Sequence, residues 1–197
     1  MAAALRHAGR CVLALGPLGV VTGAAAADEA LWTALAEGGK VVLMRHAPVD
    51  TGGDAGDPRT RDATCRAERN LSSAGRKAAQ QLGQRFRDRA IPVGEVRHSP
   101  FCRTADTAEL AFGTASPAPY LALLEALPGV EADAQTQALN GTIAGYRGAE
   151  NLILVTHQPN ISAVSFELLQ HLDFLVLQPR GDDDYEELGV IRFLTSE

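Results

Sequence analysis

The sequence predicts an α/β fold, a three-layer α/β/α sandwich in which helices cover both faces of a mainly parallel sheet. Two short apolar runs, residues 41–44 and 152–155, are typical of strands buried on both faces of a sheet. Helical patterns alternate with the strands, as expected when helices lie on both sides. The chain of 197 residues is long enough for one compact domain with its own core.

The first strand leads into a long loop at residues 50–69, rich in Gly, Asp, Thr and Arg, and a loop of this length is usually functional. Ser72 or Ser73 can cap the helix that follows. The apolar face of this helix is predicted from its helical spacing to consist of Ala74, Ala78, Leu82 and Phe86. The remaining predicted elements are a strand at 93–98, helices at 101–112, 133–146 and 160–169, and strands at 152–155, 174–177 and 190–194, the last two joined by an acidic loop at 180–187.

The first 27 residues are predicted to be a signal peptide. They contain no Asp or Glu. A positive region with Arg6, His7 and Arg10 precedes an apolar stretch at 11–21, and alanines at 25–27 form a cleavage site before Asp28. The stretch is shorter than the about 20 residues of a membrane-spanning helix, so we expect no stable membrane anchor after cleavage. The expected product is a periplasmic or secreted protein with a single domain at 28–197.

Removal of residues 1–27 would leave 16 basic and 24 acidic residues. An acidic protein repels polyphosphate backbones, so nucleic acid is not an expected partner. One local cluster has the opposite sign, and both a solvated loop and the rim of a substrate site stay open as its interpretation. It consists of Arg59, Arg61, Arg66 and Arg69.

Cys65 and Cys102 are the cysteines that remain after cleavage. In an oxidising compartment, two cysteines without a third competitor favour a disulfide. The sequence does not show whether their Cα atoms approach within bonding range, so pairing stays open. Two cysteines without clustered histidines make a poor zinc site, and we expect neither a metal nor a cofactor.

Ligands of such folds bind beyond the carboxyl ends of the strands, and four motifs lie at or near those ends. A histidine after a buried strand is by itself weak evidence, because most such residues are structural. The coincidence of two histidines and two arginines is more specific. The motifs are Leu43-Met44-Arg45-His46-Ala47, Asn70-Leu71-Ser72-x-x-Gly75-Arg76, Val96-x-x-Ser99-Pro100-x-x-Arg103-x-x-x-Thr107-Ala108 and Val155-Thr156-His157.

Together these motifs resemble the histidine phosphatase superfamily, also called phosphoglycerate mutase-like, and the resemblance extends from residue 40 to about 165. It looks closest to bacterial periplasmic members such as lipopolysaccharide core heptose phosphatases, and to small phosphohistidine phosphatases. The resemblance implies a phosphoglycerate mutase-like fold, with His46 as the nucleophile and Arg45, Arg103 and His157 as the phosphate pocket.

The residue types suit this chemistry. Guanidinium groups grip phosphoryl oxygens through paired hydrogen bonds and stay charged at working pH. They also disfavour a positive charge on His46, so its pKa is expected to fall and one ring nitrogen to stay free to attack. The other ring nitrogen should donate to a backbone carbonyl. His157 is expected to donate to the transferring group.

Expulsion of an alkoxide needs a proton donor, which the family usually supplies as Glu or Asp between the second arginine and the second histidine. Glu125 is the candidate, with Glu131 and Asp133 as substitutes, and a solvated helix-face glutamate is the alternative interpretation. The chain departs from the family pattern at Ala47, where Gly is usual, and at Val49, where a polar contact residue is common.

We therefore expect an exported phosphatase for a small phosphorylated substrate, such as a sugar phosphate of the cell envelope. Two alternatives stay open. A phosphohistidine phosphatase would use the same residues on a better leaving group, and a non-catalytic module would bind phosphate without turnover.

Overall fold

A computed structural model describes residues 23–193, so most of the predicted signal peptide lies outside the described residues. The described elements are α1 (Gly23–Ala36), β1 (Val41–Arg45), α2 (Ser73–Asp88), β2 (Val93–His98), α3 (Cys102–Phe112), β3 (Ser116–Pro117), 3₁₀ turns at Pro119–Leu121 and Leu124–Ala126, α4 (Gly129–Gly145), β4 (Asn151–Thr156), α5 (Gln158–Ser162), β5 (Phe174–Gly181) and β6 (Asp184–Ile191). No helix in this part of the chain is both long and apolar enough to cross a membrane.

The strands form one six-stranded sheet in the order β3-β2-β4-β1-β5-β6. The first four strands are parallel to one another, because β1 and β2 both pair with β4 in the parallel sense and β3 pairs likewise with β2. β5 pairs with β1 in the antiparallel sense, and β6 pairs with β5 in the same sense. The predicted mainly parallel sheet is thus confirmed, with a hairpin added at one edge.

Helices cover both faces of the sheet, which confirms the three layers. Successive side chains of a strand point to opposite faces. Accordingly, Val42 and Met44 pack in the cluster that includes residues of α1, α2 and α3. Leu43, between them, packs in the cluster that includes residues of α4 and α5.

Helix α2 approaches the segment after β1 very closely. The Ser72 hydroxyl caps the helix by accepting from the Gly75 N–H at 2.9 Å, and the Ser72 N–H donates to the Pro48 carbonyl. A Cβ at Gly75 would lie 1.9 Å from the Pro48 oxygen, so only glycine fits there. The predicted apolar face is wrong at Ala74, which is exposed.

Two predictions for the later part of the chain are wrong in their boundaries. The helix expected at 133–146 begins four residues earlier, at Gly129, with Glu131 in its first turn, where the helix dipole favours an acid. The acidic loop expected at 180–187 is instead a tight hairpin turn. Asp182 and Asp183 both have positive φ, as a type I′ turn requires, and aspartate tolerates that conformation.

The helix predicted at 160–169 is also wrong, because α5 ends at Ser162. Side chains bind backbone groups of the segment that follows α5. The Gln158 amide donates to the Glu167 carbonyl and accepts from the Leu169 N–H, while Arg45 Nη1 donates to the Leu169 carbonyl at 2.7 Å. The segment after α5 therefore packs beside the end of β1.

Candidate active site

Three parallel strands deliver the candidate residues to one edge of the sheet. β4 lies between β1 and β2, and the three strands end at Thr156, Arg45 and His98. The residues that follow them, His157, His46 and Ser99, are therefore brought together.

A cavity of about 440 Å³ opens at this edge. Its walls contain all five predicted catalytic residues, although these come from distant parts of the chain. They are Arg45, His46, Arg103, Glu125 and His157. Their roles stay predictions, but their convergence is a property of the fold.

The tautomer of His46 follows from its hydrogen bond. Its Nδ1 lies 2.9 Å from the Ala47 carbonyl oxygen, which can only accept, so Nδ1 carries the proton. Nε2 of the neutral ring is then the atom with a free lone pair. The Ala47 N–H donates to Thr107 Oγ1 at 3.0 Å, which fixes the backbone that orients the ring.

Burial lowers the pKa of His46 well below its ordinary value, and the positive charge of Arg103 lowers it further. The hydrogen bond to Ala47 acts in the opposite direction, but the lowering dominates. His46 is therefore neutral near pH 7.

Each site arginine has a buried nitrogen without a hydrogen-bond partner in the described part of the chain. Arg45 Nη1 donates to the Leu169 carbonyl, and Arg103 Nη2 donates to the Pro58 carbonyl at 3.0 Å. By contrast, Arg45 Nε and Arg103 Nη1 are buried without a partner among residues 23–193. Since unpaired buried donors are costly, these two N–H groups indicate an anionic ligand.

Burial lowers the pKa of Arg103 to about 10, so the group still stays charged at neutral pH. Its guanidinium lies over the Phe101 ring at 4.4 Å, which supports it from the side.

His157 is held between Arg103 and Ser99. Arg103 Nη2 donates to His157 Nδ1 at 3.2 Å, and His157 Nε2 lies 2.8 Å from Ser99 Oγ. Because a guanidinium only donates, His157 is neutral with its proton on Nε2. Burial and the neighbouring His46 lower the pKa of His157 well below its ordinary value. To donate to a phosphoryl oxygen through Nδ1, His157 must take up a proton when the anion binds.

Glu125 lies in the cavity wall on the second 3₁₀ turn, and its side chain is 55% exposed. Its Oε2 is 4.0 Å from Arg59 Nε, too far for a hydrogen bond. Asn160 fixes this turn, because its amide donates to the Ala122 carbonyl at 2.7 Å and accepts from the Leu124 N–H.

Neither substitute for Glu125 lines this cavity. Glu131 and Asp133 both lie in α4, and Glu131 lines a different cavity. Among the departures from the family pattern, Ala47 is fully buried and Val49 supplies an apolar part of the wall.

The sequence reasoning missed a third histidine, His171. Its Nδ1 donates to the His46 carbonyl at 3.0 Å, its ring centroid lies 5.0 Å from that of His46, and it lines the cavity. Burial, followed by the charge of Arg45, lowers its pKa. His171 was hidden because it lies in an irregular segment that follows no strand and belongs to no motif.

The long loop is fastened next to Arg103. Cys65 and Cys102 form a disulfide with Cα atoms 5.8 Å apart. The buried carboxylate of Glu68 accepts from the Asp62 N–H at 3.0 Å and the Cys102 N–H at 2.8 Å. The structure thus pairs the two cysteines that the sequence left open.

The basic cluster divides in two. Arg59 and Arg69 line the cavity, whereas the Arg61 Nε donates to the Pro100 carbonyl outside it and Arg66 is exposed. The solvated interpretation fits Arg66, and the rim of a substrate site stays a prediction for Arg59 and Arg69.

The sequence profile of the histidine phosphatase superfamily (branch 1) matches residues 41–125. The match contains Arg45, His46, Arg103 and Glu125, and the structure adds His157 to the same cavity. This part of the chain is similar to the histidine phosphatase superfamily. The similarity supports a hydrolase of the phosphatase class, and the residues expected to react all line the cavity.

Solved structures share the fold. The protein histidine phosphatase SixA complexed with tungstate has a TM-score of 0.54 at 14% identity, covering 80% of this chain and 99% of that one. A phosphoserine phosphatase from Entamoeba histolytica has a TM-score of 0.54 at 13% identity, and the match covers 80% of this chain and 98% of that one. A mycobacterial glucosyl-3-phosphoglycerate phosphatase has a TM-score of 0.52 at 15% identity, and the match covers 75% of this chain and 96% of that one. A search of curated proteins found no match.

Proposed function

We propose that the protein is a histidine phosphatase and hydrolyses a small phosphomonoester through a phosphohistidine on Nε2 of His46. One observation carries the proposal. The unprotonated ring nitrogen of His46 shares a cavity with two buried guanidinium groups, each of which has an N–H without a protein partner. Two guanidinium groups offset the charge of a phosphoryl dianion, which would otherwise repel the nucleophile.

In the first step, His46 Nε2 attacks phosphorus, and the bond between phosphorus and the leaving oxygen breaks. Arg45 Nε and Arg103 Nη1 bind the phosphoryl oxygens, and His157, protonated at Nδ1, donates to a third. The leaving oxygen takes a proton from Glu125. The departing alcohol is therefore neutral.

In the second step, water attacks the same phosphorus and the phosphorus–nitrogen bond breaks. The Glu125 carboxylate accepts the proton of the water, which restores its protonated form. Inorganic phosphate leaves, and His46 returns to the neutral tautomer that its bond to Ala47 selects.

The proposal includes export and a sugar phosphate of the cell envelope as substrate. The composition of residues 1–27 supports export, and so does the disulfide between Cys65 and Cys102, since such bonds persist in oxidising compartments.

A phosphohistidine substrate is the second candidate, and the position of Glu125 favours it. Its half-exposed carboxylate makes no hydrogen bond that would hold it towards a leaving group. A phosphoramidate needs less help from an acid than an alkyl ester does. The SixA structure, described as a protein histidine phosphatase, shares this fold.

Incubation of the protein with a ³²P-labelled aryl phosphate tests the proposal. We expect an acid-labile label on His46, and His46→Ala should abolish it and lower kcat by about 10⁴-fold or more. His98→Ala is the matched control, because His98 is also buried with Nδ1 bonded to a backbone carbonyl, yet lies outside the cavity. Phosphate binding without turnover or label would instead show a non-catalytic module.

A further inference from the structure

We propose that Arg59 and Arg69 form a second anion subsite, which selects substrates whose leaving group carries a carboxylate or a second phosphate. The inference rests on the proposed function and names the substrate class for that site. It assigns a role to the part of the basic cluster that the phosphoryl chemistry does not use.

The first argument is the charge of the cavity wall. Its four guanidinium groups, those of Arg45, Arg59, Arg69 and Arg103, face a single carboxylate, that of Glu125. With Glu125 ionised and His157 neutral, the excess is three positive charges, and the protonation of both groups in the proposed mechanism increases it. A phosphomonoester dianion neutralises two of these charges. A second anionic group on the substrate would balance the remainder.

Two acidic groups behind the wall, Glu68 and Asp173, act on Arg103 and Arg45 and so reduce this excess, but their oxygens already have hydrogen-bond partners and do not face a ligand. Glu68 accepts from two backbone N–H groups. Asp173 accepts from Arg192 Nη1 at 3.1 Å and from the Phe193 N–H. Neither carboxylate lines the cavity.

The second argument is that Arg59 and Arg69 have donors to spare. Arg69 uses Nε for the Gly56 carbonyl at 3.2 Å, and its terminal nitrogens have no partner among residues 23–193. The Arg59 side chain is two-thirds exposed and reaches only to 4.0 Å from Glu125. Planar guanidinium groups of this kind bind carboxylates and phosphates through paired hydrogen bonds.

The third argument is position. The Pro58 carbonyl, one residue before Arg59, accepts from Arg103 Nη2, so the loop is tied directly to the phosphate-binding arginine. The disulfide and Glu68 hold the same loop against the start of α3. The cavity of about 440 Å³ falls within the range of small-molecule sites and has room for a leaving group beside the phosphoryl group.

A pair of matched substrates tests the subsite. In 4-carboxyphenyl phosphate the leaving group carries a charge, whereas in 4-carbamoylphenyl phosphate a neutral amide of the same shape replaces it. We expect wild-type kcat/KM to favour the carboxylate by about tenfold or more. Arg59→Gln and Arg69→Gln should each reduce this ratio, and the double variant should bring it close to one.

Arg66→Gln is the control, because Arg66 belongs to the same cluster but lies outside the cavity. It should keep the wild-type ratio. A wild-type ratio near one would overturn the proposal, as would an equal loss in Arg66→Gln, which would indicate a general field effect.

Binding separates this inference from the proposed function. Calorimetry with 4-carboxybenzylphosphonate and its carbamoyl analogue measures the same preference without turnover. If the protein binds the carboxylate ligand more tightly but hydrolyses no substrate, the proposed phosphatase function is wrong and the subsite stands. If it hydrolyses substrates but binds both ligands equally, the subsite is wrong and the phosphatase function stands. A ligand with a second phosphonate in place of the carboxylate shows which oxyanion binds more tightly.

Discussion

His46 shows how one backbone contact sets the chemistry of a side chain. The Ala47 carbonyl selects the tautomer, and burial together with Arg103 keeps the ring neutral. A nucleophile with a lowered pKa stays active in mild acid, because protonation of Nε2 begins only below the ordinary value near 6.5. Activity that depends on His46 should therefore fall only as the pH drops through this lowered pKa.

Arg103→Gln should raise the pKa of His46 part of the way towards its ordinary value, because a neighbouring positive charge is removed while burial remains. An NMR titration of the His46 ring measures the change. The acid limb of phosphoenzyme formation should move to higher pH in the same variant. Arg66→Gln is the control and should titrate like wild type; an unchanged His46 in Arg103→Gln would contradict the argument.

Glu125→Gln tests the proton donor. If Glu125 protonates the leaving oxygen, alkyl phosphates should lose about 10²-fold or more in kcat, since general acids contribute on this scale. Aryl phosphates with good leaving groups should lose far less. Kinetics with both substrate types gives the comparison, and equal losses would remove Glu125 from this role.

At the scale of elements, the loop at 50–69 is held in position by its bonds to the start of α3. It has little regular structure, yet it supplies Pro58, Arg59 and Arg69 to the cavity. Its connection to α3 through Cys65–Cys102 and Glu68 offsets the entropy of ordering a long loop.

Replacement of Cys65 and Cys102 by serine should lower the free energy of unfolding by about 3–4 kcal/mol, given the separation of 37 residues between them. KM should rise more than kcat falls, because the loop contributes binding groups and not the nucleophile. Denaturant unfolding and steady-state kinetics measure the two effects. Wild type treated with reductant should behave like the variant; unchanged KM in both would show that the loop is placed without the bond.

At the scale of the whole molecule, the buried histidines of the site should make the stability of the protein sensitive to acid. The pKa values of His46 and His157 are lowered by burial, so the unfolded chain binds protons at these positions before the folded protein does. The free energy of unfolding is therefore highest, as far as these two histidines are concerned, above about pH 6.5, and it decreases as the pH falls below that value.

As the pH falls from about 6.5 towards the lowered pKa values, the free energy of unfolding should therefore decrease by up to about 1.4 kcal/mol per pH unit for each of these two histidines. Chemical unfolding at several pH values gives the slope. His46→Gln should reduce the slope by about one proton, while Arg66→Gln should leave it unchanged. A flat profile in wild type would show that folding does not lower the pKa values of these rings.

Much of this molecule follows from local patterns. The apolar runs at 41–44 and 152–155 gave correct strands because a strand buried on both faces has few other compositions open to it. The prediction for 160–169 failed because helical spacing says nothing about Gln158 and Arg45, which take the backbone groups of that segment. Local spacing records periodicity, and it does not record which distant side chain competes for a backbone group.

The candidate site residues could be named from the sequence, because two arginines and two histidines occur in motifs that resemble the histidine phosphatase superfamily. Folding in three dimensions decided which ring nitrogen of His46 is free, and it added the approach of His171, the bond between Cys65 and Cys102, and the division of the arginine cluster. Each of these depends on a separation of a few ångströms between parts of the structure. Such distances arise from packing and are not encoded in any short stretch of chain.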